Sequence, residues 1–221
     1  MHKGFEAGVI LRQAGTVWVG QLATVTFGVV DTLVAGHHSA HALAALSVGS
    51  AFYVSVYVAL MGVVQAQLPV WSELRGAGHR TALGLALRQT LYLCAALLLV
   101  GVAALLSPDA VLRWTDVPPA LRPQVAQYLE VLSVGLVPAL LFRMFSTLNQ
   151  ALGRPVLVTW VQLGALGLKI PLSIWFGLGG LGLPAGGAVG CAWATVVVTL
   201  GMLVLAVLLL RSQALYVPYA L

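Results

Sequence analysis

Charge is what this sequence has least of. Only 8% of its 221 residues are Asp, Glu, Lys or Arg, against about 25% in a soluble domain. With 60% hydrophobic residues and a mean hydropathy of +0.99, it carries more apolar surface than a soluble core of this length absorbs. A water-soluble domain is excluded. Cysteine is almost missing too. Cys94 and Cys191 both sit in apolar runs, where they read as small hydrophobes and give neither a disulfide framework nor a metal site. Nor does the net charge of +5 point to nucleic acid, because the Lys and Arg are scattered singly at the ends of apolar runs. The runs hold no His/Asp/Glu cluster and no nucleophile–base pair, which argues against a membrane enzyme and a cofactor. A cleavable signal peptide is not expected, since the first run is too long and contains Gln21, Thr24 and Asp31.

What is there is a series of apolar runs long enough to cross a bilayer, each about 20 residues or more. Six are expected: Val9 to Ala35, Leu43 to Val70, Thr81 to Leu106, Ala126 to Leu148, Val156 to Phe176, and Ala188 to Leu210. The fold class is therefore an all-α integral membrane protein with six transmembrane helices. Abundant Gly and Pro fit that setting, where Gly allows close helix approach and Pro kinks are tolerated. One connector is sizeable, Ser107 to Gln124, and reads as an interfacial segment. The others are short, so successive helices are expected to be antiparallel neighbours. Lys3, Arg12, Arg75, Arg80, Arg143, Arg154 and Arg211 fall on one side of these spans. Arg113 and Arg122 fall on the other, offset by Asp109 and Asp116. The positive-inside rule then puts both termini in the cytoplasm of a multi-pass protein.

Three sets of residues break the apolar background. On the first span Gln21, Thr24, Gly28 and Asp31 recur at one helical face. On the fifth, Gln162, Lys169 and Ser173 do the same. On the fourth, Pro138 and Arg143 interrupt the run, and Ser146, Thr147 and Asn149 follow near its cytoplasmic end. A charge at the bilayer centre costs about 2.5–3.5 kcal/mol on insertion scales, so Asp31 and Lys169 are expected to face the bundle interior. Asp31 lies about 7 Å and Lys169 about 12 Å below the outer ends of their helices. A lysine side chain bridges that difference. The two can pair if their helices are neighbours. Pro171 leaves the carbonyl of Gly167 without its helical donor, a candidate acceptor for the Lys169 ammonium and, with Pro138, a candidate hinge. The structural alternative is an ion pair that only fixes helix register.

The remaining motifs are weaker. His37 and His41 have the spacing of a metal pair, but "GHHSAHA" reads as a solvated external turn and no metal is assigned. The spacings Gly182/Gly186 and Gly186/Gly190 indicate a hinge and close helix packing in place of a phosphate-cradling loop. Trp18, Phe52, Tyr53, Tyr57, Trp160 and Trp175 are belt or core residues, one or two of which can stack on a cationic compound.

Three longer stretches carry a resemblance. "FGVVDTLVAGHHSAHALAALSVG", with its Val-Asp-Thr-x-x-x-Gly, is similar to the first helix and following turn of the multidrug and toxic compound extrusion (MATE) transporters. "QAQLPVWSELRGAGHR" is similar to that family's exit from the second helix. "LGRPVLVTWVQLGALGLKIPLSIWFGLGGLGLPAGGAVGCAWATVV" resembles its fifth and sixth helices with their Gly-rich linker. The resemblance covers essentially the whole chain. It implies one lobe of a twelve-helix antiporter that expels lipophilic organic cations in exchange for H⁺ or Na⁺ across the bacterial inner membrane. Residues 1–211 would be the N-terminal lobe and 212–221 the start of a connector, with a C-terminal lobe or a second copy as partner. Asp31 matches the family's cation-coupling carboxylate. Lys169 stands where members with a lobe cation site carry Asn, and Ser173 where they carry Asn or Asp. An ammonium in that place implies coupling to protons, with Lys169 a built-in counter-ion to Asp31, and Gln21, Thr24, Gly28 and Gln162 lining the cavity. A flippase-type exporter of the same superfamily and a non-transporting six-helix subunit are the alternatives.

Overall fold

The computed structural model describes residues 2–108, 112, 117–180 and 184–212, with backbone alone for 2–10, 12 and 13. Among these residues the six runs form seven helices: α1 (His2–His38), α2 (Ala40–Gln65), α3 (Leu68–Gly76), α4 (Arg80–Leu106), α5 (Arg122–Ala151), α6 (Pro155–Leu178) and α7 (Gly187–Ser212). Six of the resulting segments are long and apolar enough to cross a membrane. The expected connector beyond Ser212 and most of the segment between Ser107 and Val117 lie outside the described residues, as does Gly182.

The expected second span is two helices. Pro69 has no N–H to offer the carbonyl of Gln65, so α2 ends there and the chain turns through Ala66 and Gln67 before α3 starts. Pro138 and Pro171, in contrast, lie inside continuous helices. Ser39 separates α1 from α2 and caps the latter, its hydroxyl accepting from the N–H of Ala42 at 3.0 Å.

Helix α5 is the centre of the bundle. Its most apolar window is 67% buried, against 22–39% in the other spans. Leu129, Leu132, Leu136 and Leu140 form its fully shielded stripe. Lipid offers helices no hydrophobic reason to associate, so small residues that admit close approach do this work. Gly49 of α2 takes the ring of Tyr128, Gly101 of α4 takes Leu136, and Gly135 of α5 takes Val196 of α7. A side chain at any of the three would displace its partner.

Neighbours in sequence are not always neighbours in space. α1 packs most extensively against α6, and α5 against α7 and α2, while α5 and α6 touch only lightly. The expectation of antiparallel sequential neighbours fails at that joint. Gly153, with φ +65°, reverses the chain there. The Arg75 guanidinium of α3 holds the turn by donating to the carbonyl of Ala151 at 3.0 Å. Helix α6 then leaves α5 for α1, with which it shares polar rungs. Thr159 donates to the carbonyl of Thr16 at 2.9 Å, and Gln162 donates to the Thr24 hydroxyl at 3.3 Å. Gly20 makes room for the Gln162 side chain.

Candidate functional site

The α1–α6 seam ends in a charged centre. The two side chains whose difference in depth a lysine bridges meet there. Lys169 Nζ lies 2.7 Å from Asp31 Oδ1 and donates to Oδ2 at 3.0 Å. Lys169 is fully buried and Asp31 is 7% exposed. The ammonium has three donors and no acceptor. It spends the other two on α7, on the carbonyl of Cys191 at 3.1 Å and the hydroxyl of Thr195 at 2.7 Å. The Gly167 carbonyl is not its partner. On an i−2 spacing that group points along a different face of α6, whereas α7 presents a carbonyl directly opposite.

Asp31 is equally well held. Ser173 donates to Oδ1 at 3.0 Å, and Thr195 Oγ1 stands 3.4 Å from Oδ2. Ser173 is fully buried. Three helices, α1, α6 and α7, therefore converge on one carboxylate and one ammonium, with every polar group satisfied. Their approach depends on two more small residues. Gly177 lies against Val34, and Gly190 sits directly on the carbonyl of Phe176, leaving no room for a side chain.

Asp31 also forms part of the wall of a cavity of about 220 Å³. Thr24 and Gly28 of α1 and Gln162 of α6 line it, as do Tyr53 and Tyr57 of α2, Tyr128, Phe142 and Arg143 of α5, and Thr195 and Thr199 of α7. Tyr53 and Tyr57 stack with parallel rings 6.0 Å apart. Gln21 lines a separate small space with Arg143, Ser146, Gln150 and Gln162. Arg143, 7% exposed, donates from Nε to Gln65 Oε1 at 3.1 Å at the point where α2 breaks. The histidines His37, His38 and His41 stand apart. His37 lies against the carbonyl of Leu33 at 2.8 Å, and no group of three metal-ligating side chains occurs among the described residues. Trp18 and Trp160 point outward, 67% and 70% exposed, as belt residues do.

Sequence reasoning missed Thr195, the Cys191 carbonyl, Tyr128 and Gln65. Thr195 and Thr199 do share a face at i, i+4 spacing in α7. A carbonyl acceptor has no signal in a sequence at all.

An integral membrane bundle of six spans, with a buried ionic centre beside an aromatic cavity, is the class of protein that the fold and site define. The MatE family model matches residues 17–175, and the chain belongs to that family, the MATE proteins. The probable multidrug resistance protein NorM of Aromatoleum aromaticum is 35% identical over 192 residues, 87% of this chain and 42% of that protein. Multidrug resistance protein PmpM of Pseudomonas aeruginosa is 30% identical, over 86% of this chain and 40% of its own. The chain thus spans less than half the length of the curated relatives it matches. Among solved structures, a MATE protein in the straight conformation is similar with a TM-score of 0.78 and 17% identity, over 93% of this chain and 46% of that one. A MATE family transporter of the MOP superfamily in the outward-facing conformation gives 0.75 and 18%, over 92% and 45%. These structures share the fold.

Proposed function

We propose that this chain forms one six-helix half of a secondary active antiporter. The whole exports lipophilic compounds, organic cations among them, across the bacterial inner membrane in exchange for H⁺, with both termini cytoplasmic. A second six-helix half, from the same polypeptide or another copy, completes it. The names of the multidrug resistance relatives support the export role. The observation that carries the coupling is the Asp31–Lys169 pair at the cavity wall.

Protonation of an Asp31 oxygen removes the charge that Lys169 neutralises. The ammonium then keeps only its two contacts on α7, and α1 loses its strongest tie to α6 and α7. The cavity wall becomes more positive at the same moment, which favours release of a cation. Thr24, Gly28 and Gln162 supply the polar wall along which cargo moves, and Pro138 and Pro171 are the hinge points of the cycle. Na⁺ is the less favoured ion because an ammonium already fills the place beside the carboxylate.

The test is transport by the two-half protein in liposomes under separately imposed pH and Na⁺ gradients. Efflux should follow the pH gradient without Na⁺ and stop in Asp31→Asn. Undiminished pH-driven efflux in Asp31→Asn would remove the coupling role, and a strict Na⁺ requirement in the wild type would remove proton coupling.

A further inference from the structure

Charge around the cavity does not balance. Asp31 is the only carboxylate on the wall among the described residues, and Lys169 takes it. Arg143 stands on the same wall without a counter-charge, since it forms no ion pair with any of the described residues. Glu130 on the same helix is 13 residues away, about 20 Å at 1.5 Å per residue, and exposed. Glu73 on α3 is exposed as well.

The guanidinium is also short of acceptors. Of its five N–H donors, one goes to Gln65 Oε1, and the Nη groups have no hydrogen-bond acceptor among the described residues. Its surroundings are polar but neutral: Ser146 and Gln162 border both spaces that it separates, and Gln21 and Gln150 border the smaller. A buried guanidinium with free, fork-shaped donors is built to receive a planar or tetrahedral anion in bidentate fashion. An ionisable side chain facing a cavity at membrane depth is retained for function by default. The same wall is aromatic, with Phe142, Tyr57 and Tyr53 among its residues.

We infer that Arg143 is an anion-recognising residue of the cargo cavity, and that this cavity takes a flat aromatic compound bearing a carboxylate or sulfonate. The anionic group docks on the Nη donors and the ring system lies along Phe142, Tyr57 and Tyr53. The inference rests on the cavity being the cargo site, and it assigns a determinant of specificity within it.

The test compares three probes of one shape on the full-length protein in zwitterionic-lipid nanodiscs, by calorimetric titration: 2-naphthalenesulfonate, 2-naphthalenemethanol and 2-naphthylmethylammonium. The sulfonate should bind about 10- to 100-fold tighter than the alcohol, as expected for hydrogen bonds to a charged partner. Arg143→Gln should abolish that advantage and leave the alcohol within about twofold, while Arg143→Lys, which keeps the charge but loses the fork, should retain part of it. Arg143→Lys carries the test alone where Arg143→Gln does not fold, its severalfold loss for the sulfonate only being the supporting result. Equal binding of sulfonate and ammonium, or a sulfonate affinity indifferent to residue 143, overturns the role of Arg143 while leaving the cargo cavity in place. Binding of none of the three probes overturns the cavity reading and this inference together.

Discussion

Replacing Lys169 with Met keeps the length of the side chain and removes its charge, and the cost can be worked from its contacts. The ammonium neutralises Asp31 and bonds Cys191 and Thr195 across the interface with α7. After the change Asp31 keeps the Ser173 and Thr195 hydroxyls but has no counter-charge. Breaking a buried pair by removing one partner costs about 3–5 kcal/mol, and the two surviving hydroxyl donors place this case near the lower end, about 3 kcal/mol. At about 2–4 °C per kcal/mol for a chain of this size, the melting temperature should fall by about 6–12 °C. Asp31→Asn should cost a similar amount, since it strands the ammonium. The double variant Asp31→Asn/Lys169→Met strands neither group, so its cost should be smaller than the sum by at least about 2 kcal/mol. Thermal unfolding in detergent and Na⁺-free buffer, followed by tryptophan emission, measures all four proteins. Additive costs would show that the two side chains do not act as a pair, and the account of the site would fall with them.

Two further changes probe the frame around this centre. Gly190→Ala puts a methyl group against the Phe176 carbonyl where α6 and α7 meet, and should cost about 1–3 kcal/mol. Gly201→Ala, in the same helix with open space beside it, should instead stabilise by about 0.5–1 kcal/mol; equal effects of the two would refute the close-approach argument. Thr195→Val keeps the shape of a hydroxyl that both accepts from Lys169 and faces Asp31. It should destabilise by about 1–3 kcal/mol, measured in the same unfolding assay.

Asp31 and Lys169 stood out in the sequence because an ionisable group inside an apolar run has few ways to be accommodated. Ser173 followed from its place one turn beyond Lys169. The partners on α7 did not follow, because a threonine is unexceptional in an apolar helix and the other partner is backbone. Helix pairing was likewise out of reach. Connection length argued for sequential neighbours, yet α6 leaves α5 for α1, drawn by contacts such as Thr24–Gln162 that are separated by 138 positions. The break in the second span was in view at Pro69, but apolar residues on both sides concealed it in any reading of run length. Arg143 registered as an interruption of its run and as one of the positive charges on one side of the spans. That it closes the cavity wall depends on Gln65, which reaches it from the end of a different helix.

The set of atoms around the Lys169 ammonium gives the sharpest test of what that residue replaces. Both oxygens of Asp31, the Cys191 carbonyl and the Thr195 hydroxyl lie between 2.7 and 3.1 Å from Nζ. Carboxylate, carbonyl and hydroxyl oxygens are the donors that a hard monovalent cation takes. With Lys169→Ala the same oxygens line an opening that lacks its positive charge, and Na⁺ should enter it. Binding to the folded state alone stabilises it by about 2.7 kcal/mol when the free ion stands at 100 times its Kd. That is a rise of about 5–11 °C for Lys169→Ala on replacing choline chloride with NaCl. The wild type should not respond, because its own ammonium occupies the place. Asp31→Asn/Lys169→Ala should not respond either, because no carboxylate remains to hold the ion. Equal melting of Lys169→Ala in choline and in Na⁺ would mean that the oxygens are arranged for an ammonium and for nothing else, and the argument that Lys169 excludes Na⁺ by filling its site would be wrong.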